Sequence, residues 1–515
     1  MIDNSDDLIQ KVLKTIAADK LKKGLKGIEK ESLRIADNTI SRDKHPKSLG
    51  SSLCHSFITT DFSEAQLELV TPPINNNEET YMFLDNIHHF VSNKIKDELI
   101  WPHSIPPSID HEANIPIAFY GKSDKARFKH AYRNGLANRY GKLMQAISGI
   151  HFNYSLPDSI WPFIQTLNKN PEEQEFKSLI YFRGLRNIQR LNWLILYFFG
   201  ASPIVSNNFD LTKYKFSKLN GKYYYLPYAT SLRMSDLGYQ NLNQSTLNIS
   251  LNSLEKYASD IKDATEKESR EYKIIDNSIS ASDLQINSNI LQTEDEYYSI
   301  SRPKSNDQSE KRLATKLSDK GIDYIEYRSL DLDPYSRTGI SIQTINFLEV
   351  FCIYSFLAPS PFIDIDETNE CKANDLLVAT KGRDPNLTIN RNGKSISIKD
   401  WGNQILDELE PIAELFGSEF LEVRRFKKML THPELTTSGK ILTDAISSQE
   451  DYFYFSKAVS LNYKNYYRDL THASNAIWDK LISERDESLK LHSELPKSND
   501  KSYKQFISEY FDPKD

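Results

Sequence analysis

Gly27-Ile28-Glu29-Lys30-Glu31-Ser32-Leu33-Arg34 is the stretch from which the fold begins to be legible, because it reads as a β-strand with Glu29 and Glu31 on one face. Three distant segments have the same character. They are Thr60-Asp61-Phe62-Ser63-Glu64-Ala65-Gln66-Leu67-Glu68-Leu69, Ser148-Gly149-Ile150-His151-Phe152-Asn153 and Tyr324-Ile325-Glu326-Tyr327-Arg328-Ser329. Alternation puts Glu64, Gln66 and Glu68 on one face, and Glu326 with Arg328 on another. A single acidic strand face is ordinarily solvated. Four that converge need a reason to tolerate so much like charge, and hard divalent cations, which take several oxygen ligands, supply one.

The chain has 515 residues, enough for a large core, and its 26% charged and 39% hydrophobic residues are those of a globular protein. The net charge of −7 argues against general nucleic-acid binding. Three cysteines, Cys54, Cys352 and Cys371, lack any CxxC spacing, which fits a reducing compartment and offers no disulfide framework or zinc site. The N-terminal residues are acidic and polar, unlike a signal peptide, and the most apolar stretches are too short or too interrupted to span a bilayer. These features predict a cytoplasmic protein with no membrane partner.

Apolar periodicity predicts helices over 6–22, 78–100, 172–199, 254–272, 343–357, 401–416 and 420–430. Strands are predicted over 27–35, 57–71, 147–156 and 322–332, and 206–226 reads as an excursion loop. In the third strand Ile150, Phe152 and Tyr154 share one face and His151, Asn153 and Ser155 the other. His88 and His89, in the second helix, read as packing or surface residues. Composition shifts from mixed to mainly helical after about 365, giving a catalytic region over 1–365 and a helical part over 366–515.

There is no GxxxxGK[ST], no GxGxxG after a strand, no HExxH and no GxSxG. The carboxylates are accompanied by Arg133, Arg139, Arg233, Arg302, Lys304 and Arg328. Carboxylates and arginines without a nucleophile point to phosphoryl transfer, in which metals bridge phosphate oxygens and cations stabilise the moving charge. The same pattern also fits a salt-bridge network inside a large sheet protein.

At these residues the sequence closely resembles the proteobacterial type of glutamate–cysteine ligase (γ-glutamylcysteine synthetase). The matching text is GIEKESLRI at 27–35, HSFITTDFSEAQLELVTPP at 55–73, YRNGLANRYGKLMQAISGIHFNYSLP at 132–157 and RLNWLILYFFGASP at 190–203. It continues with SLRMSDLGYQN at 231–241, ILQTEDEYYSISRPK at 290–304 and YIEYRSLDLDPYSRTGI at 324–340. The resemblance implies an α+β fold related to glutamine synthetase: a curved, mostly antiparallel sheet forms a funnel-shaped active site, with helices outside. It implies ATP as co-substrate and Mg2+, or Mn2+, held by Glu29, Glu31, Asp61, Glu68, His151 and Glu326. Asp61 and Glu68 are seven apart, so a bend must separate them if both face the cations. Taken alone, His151 reads as a core hydrogen-bonding residue in preference to a ligand, since magnesium favours oxygen.

The implied reaction joins L-cysteine to the γ-carboxylate of L-glutamate through γ-glutamyl phosphate, the first step of glutathione biosynthesis. Arg328 and Arg233 are then the catalytic cations, and Phe62, Tyr132, Arg133, Gln145, Tyr239 and Tyr298 the substrate pocket. Tyr297 stands where the family has an aliphatic residue, which leaves Tyr297 and Tyr298 as alternatives. A relative that uses another amine would share the cation shell, and a dead binding protein on the same fold would have lost ligands. A monomer is expected from the resemblance.

Overall fold

The computed structural model describes residues 7–16, 18–166, 173–238, 244, 247–276, 283–309, 311–417, 423–470 and 476–511. At its centre is an open antiparallel sheet of β1 (Leu25–Ala36), β2 (Ile58–Thr60), β3 (Gln66–Val70), β4 (Ile150–Ser155), β5 (Ser301–Lys304) and β6 (Tyr324–Leu330). The spatial order is β5-β6-β4-β1-β3-β2, and every neighbouring pair is antiparallel. Thr39–Ile40 and Leu99–Ile100 add short strands against the end of β1.

Register decides which residues meet. Glu29 lies opposite His151, Glu31 opposite Glu68, and Glu326 opposite Asn153. Directly opposed residues point to the same face, so the predicted acidic faces of β1, β3, β4 and β6 are one surface. Between Tyr327 and Leu330 the register of β6 against β4 slips, because Tyr327 faces Phe152 while Leu330 faces Ile150. The extra residue is a β-bulge, which re-aims side chains locally, and Arg328 sits in it.

The other face is apolar. Ile28, Ile150, Phe152, Tyr154, Ile325 and Tyr327 are all within 1% of full burial. They pack on two helices, α3 (Glu173–Phe199) and α4 (Ile342–Leu357), which follow α1 (Asn77–Lys94) and α2 (Asp124–Tyr140) along the chain. Tyr154 stacks on Phe356 with centroids 6.1 Å apart, and Tyr327 meets Phe351 edge-on at 6.5 Å. Farther along lie α5 (Tyr452–Asp469), α6 (Ala476–Glu494) and α7 (Asp500–Phe511). His88 and His89 are buried in α1 and stack on Tyr467 of α5, so both are packing residues.

Several predicted bounds shift. The first helix is two pieces, Ile9–Thr15 and Ala18–Leu21, and Leu254–Glu266 is separate from Arg270–Asp276. The predicted loop at 206–226 belongs to a small sheet of Ile204–Ser206, Ser217–Asn220 and Tyr223–Tyr225, whose aromatic tyrosines suit a pleated surface. The stretch 57–71 is two strands with a turn between, which is the bend that Asp61 and Glu68 require. Glu64 lies in that turn instead of on the shared face, and its carboxylate accepts from His45 N and Phe119 N, each at 3.2 Å. Among the described residues no helix is long and apolar enough to cross a membrane.

Sheet and helices are fastened by one buried ion pair. Lys26 of β1 and Glu349 of α4 meet at 2.7 Å with side chains 1% and 2% exposed. The ammonium also donates to Gly24 O at 2.9 Å and Asn75 O at 3.2 Å, and Asn77 donates to the second carboxylate oxygen at 2.9 Å. Breaking such a pair strands a charge in the core. Lys26→Met is expected to destabilise the fold by about 3–5 kcal/mol in a denaturant titration, with the Lys26→Met/Glu349→Gln pair costing less than the two singles summed.

Candidate active site

The front face of the sheet is the floor of a cavity of about 580 Å³. Glu29, Glu31, Asp61, Glu68, His151 and Glu326 all line it, as do Arg233 and Arg328. Of the predicted substrate pocket, Phe62, Tyr132, Arg133, Gln145 and Tyr298 line it too. Tyr239 lies outside the described residues. Segments that are hundreds of residues apart in the chain therefore share one cavity.

Two groups of acids occupy the floor. In the first, His151 Nδ1 lies 3.2 Å from Glu29 Oε2 and 3.5 Å from Glu326 Oε1. One ligand atom from each of these three residues lies within 4.8 Å of the others. Asn153 donates to Glu29 Oε1 at 2.8 Å and fixes that carboxylate. Arg328 Nη1 is 3.0 Å from Glu326 Oε2, with Lys304 Nζ at 3.5 Å, so Glu326 and Arg328 do share a face. Burial pushes the Glu326 carboxyl up, but Lys304, Arg328 and His151 together hold it well below the usual range. Burial, then Arg328, lowers the His151 pKa, leaving a neutral ring that can offer a lone pair.

The second group is Glu31, Asp61 and Glu68. Burial and the charge of Asp61 raise the Glu31 carboxyl well above its ordinary value, although Gly149 N donates to its Oε2 at 2.8 Å. Burial, Asp61 and Glu29 push Glu68 up to about 8. Carboxylates that hold one another protonated are short of positive charge. Together with the three-ligand group, this donor set fits divalent cations with oxygen ligands.

The arginines are placed by the backbone. Arg233 is 2% exposed, donates to the carbonyl of Arg328 at 3.0 Å and lies 3.7 Å from Asp331. A Cβ on Gly149 would come within 2.0 Å of its Nη2, so only glycine lets the guanidinium lie against β4. On the opposite wall, α2 starts at the Ser123 cap and stops at Gly141, whose φ is 81°. It carries Tyr132 and Arg133. Arg133 donates to the carbonyls of Asp61 and of Lys129 and stacks over Tyr120 at 4.7 Å, so it positions the turn that bears Asp61. Gln145 Nε2 donates to Tyr298 OH at 2.6 Å, whereas Tyr297 packs against the main core. Of the two tyrosines left open by the sequence, Tyr298 is the one at the cavity.

Some lining residues carried no signal in the sequence. Asp295 and Glu296 sit in the matched 290–304 text but lacked any pattern of their own. Lys125, Phe128 and Lys129 precede Tyr132 on α2 by one to two turns, a spacing that could have pointed to them. Phe506 and Tyr510 come from α7, at the far end of the chain. They reach the cavity because Phe128 packs on both, at 5.6 and 4.8 Å, while Arg127 pairs with Asp500 at 3.0 Å.

The glutamate–cysteine ligase family profile matches residues 9–378. A glutamate–cysteine ligase from Alcanivorax borkumensis is 38% identical over 505 residues, covering 94% of this chain and 95% of that one. One from Pseudomonas putida is 36% identical over 503 residues, covering 95% of each. The chain belongs to the glutamate–cysteine ligase family. Among solved structures, the ligase from Francisella tularensis in complex with AMP superposes with a TM-score of 0.88 at 34% identity, covering 95% of this chain and 97% of that one. A bifunctional glutathione synthetase from Pasteurella multocida gives a TM-score of 0.74 at 26% identity, covering 94% of this chain and 58% of the larger protein. The matched profile ends at 378, so it does not reach Phe506 and Tyr510 of this ligase-family chain.

Glu68 keeps its proton up to about pH 8 when folded but only to about 4.5 when unfolded, so without divalent cations the folded state loses stability as pH rises through that window. In a chelator, the melting temperature is expected to fall from about pH 5 to pH 8, and Glu68→Gln or added Mg2+ should flatten the slope. Gly149→Ala should displace Arg233 and lower turnover by about 10²-fold, and because Asp331 then loses its buried partner the melting temperature should fall as well.

Proposed function

We propose that this cavity joins L-cysteine to the γ-carboxylate of L-glutamate at the expense of ATP, giving γ-glutamylcysteine, ADP and phosphate. The observation that carries the reading is the convergence of the acids of β1, β3, β4 and β6 with Arg233, Arg328 and Lys304 in one cavity of a family member. The sheet is read as the curved, funnel-forming sheet of the glutamine synthetase type. Glu29, His151 and Glu326 would hold one divalent cation, and Glu31, Asp61 and Glu68 would hold others, taken as Mg2+. Bound there, the cations would neutralise phosphate oxygens and keep donor and acceptor in line.

The protein's own groups do the rest. Arg328, tied to Glu326 at 3.0 Å, presents its guanidinium where the γ-phosphoryl group passes from ATP to the glutamate γ-carboxylate. Arg233, wedged between Gly149 and the Arg328 carbonyl, supports that charge from behind. The first displacement gives γ-glutamyl phosphate and ADP. The amine of L-cysteine then attacks the acyl carbon, and phosphate leaves. Tyr298 and Gln145, hydrogen-bonded at 2.6 Å, with Tyr132, Tyr239 and Phe62, form the amine pocket in this reading. Rings pack the thiol-bearing side chain, and the hydroxyl and amide orient the polar end. The placement is read as cytoplasmic and monomeric, with the helical part after residue 366 packed on the catalytic region.

ADP release with ATP, Mg2+ and L-glutamate, measured with each amino acid as acceptor, tests this. A strong rise with L-cysteine, lost with EDTA and lowered at least about 10²-fold in Glu326→Gln, is the expected result. A rise with another amine alone would keep the cation floor and discard the cysteine pocket. No turnover with any acceptor would overturn the assignment.

A further inference from the structure

Glu294, Asp295 and Glu296 are consecutive acids on one short 3-10 turn. Successive side chains of such a turn point about 120° apart, and here the three have three different fates. Glu294 is 3% exposed, and its Oε1 accepts from Arg312 Nε at 2.8 Å. Glu296 is fully enclosed. It accepts from Arg139 Nη1 at 2.9 Å, from the Tyr140 hydroxyl and from Gln292 N at 2.6 Å. Asp295, between these two anchors, has a side chain 66% exposed, lines the cavity, and has its ion pair with Arg302 at a loose 3.7 Å.

The cavity's other carboxylates are committed. Glu29, Glu31, Asp61, Glu68 and Glu326 form the cation floor, and both oxygens of Glu296 are occupied by Arg139, Tyr140 and Gln292. The segment that bears Asp295 also bears Tyr298, and Gln244 ties the two together by donating to Glu296 O and accepting from Tyr298 N, each at 2.8 Å. Asp295 is therefore held beside the amine pocket by two buried acid–arginine anchors.

We propose that Asp295 binds the ammonium group of the acceptor amine and removes its proton. The inference rests on the ligase reading above. An ammonium has no lone pair, so the acceptor must lose one proton before its nitrogen can attack the acyl phosphate. That proton passes to the Asp295 carboxylate. The nitrogen lone pair then forms the N–C bond, the C–O bond to phosphate breaks, and the leaving phosphate takes the second proton. Asp295 returns its proton to solvent, which closes the balance without any further reactant. The charged and titratable groups facing Asp295 are Arg302 and Lys304 on β5, Lys129 and Tyr132 on α2, and its neighbour Glu294.

The test compares two acceptors on Asp295→Asn with ATP and L-glutamate saturating. L-Cysteine arrives protonated, whereas hydroxylamine is already an uncharged nucleophile at neutral pH. Expected is a loss in kcat/KM for L-cysteine of about 10²-fold or more, with the loss for hydroxylamine within about threefold. The residual cysteine rate should climb about tenfold per pH unit as the amine deprotonates in solution, and Asp295→Glu should recover part of the rate. Equal losses with both acceptors, as expected for Glu296→Gln, would show a purely positioning role and overturn the proposal. Unimpaired cysteine turnover in Asp295→Asn would overturn it too. Wild-type turnover with L-cysteine in the same assay separates these outcomes from a failure of the ligase reading itself.

Discussion

Like charge crowded onto one face of a sheet is the constraint around which this molecule is organised. Glu29, Glu31, Glu68 and Glu326 lie on neighbouring strands whose register sets them side by side, and Asp61 joins them from the turn before β3. Such a face would fray if the strands could slide or separate. It is held by its reverse side, where Ile28, Phe152, Tyr154 and Tyr327 pack on α3 and α4 and the Lys26–Glu349 pair bolts β1 to α4. A one-residue slip of β1 would exchange the two faces and bury the acids in the apolar core. Hydrophobic burial on one side thus holds the electrostatic strain on the other, and leaves on the front face a donor set that fits divalent cations.

Arginine does two kinds of work around this floor. Arg328 and Arg233 are at the cavity, one anchored to Glu326 and the other packed on Gly149. Arg133 lines the cavity too while it holds the Asp61 turn, and Arg139 and Arg312 are spent on structure. Arg133 and Arg139 fasten the Asp61 turn and Glu296 to α2, and Arg312, which caps the Leu313–Lys320 helix, holds Glu294. Their fixed forks suit this task, because each guanidinium can satisfy several carbonyl or carboxylate oxygens at once. The consequence is a cavity wall built from loops yet held by buried ion pairs.

The far end of the chain contributes as well. The helix α7 docks on α2 through Arg127, Phe128 and Asp124, the last accepting from Ser502 at 3.0 Å. It carries Phe506 and Tyr510 to the rim of the cavity. The family profile stops at residue 378, well short of these residues.

Much of the floor was legible in the sequence because a strand's two-residue period is local. Glu29 with Glu31, Glu326 with Arg328, and the alternation through His151 follow from chain geometry alone, and the seven-residue gap from Asp61 to Glu68 correctly demanded a bend. The family resemblance supplied the pocket residues, five of which line the cavity. Periodicity misplaced Glu64, because a turn interrupts the strand there, and missed the small tyrosine-rich sheet whose pairing is set by distant partners. The sequence by itself determined the faces and the kinds of chemistry on them. Only the tertiary structure decided which of three adjacent acids stays exposed at the cavity and which are locked in buried ion pairs, which of Tyr297 and Tyr298 lines it, and that α7 reaches its rim. Those choices depend on Arg312, Arg139, Gln145 and Phe128, partners brought close by packing, and packing leaves no period in the chain.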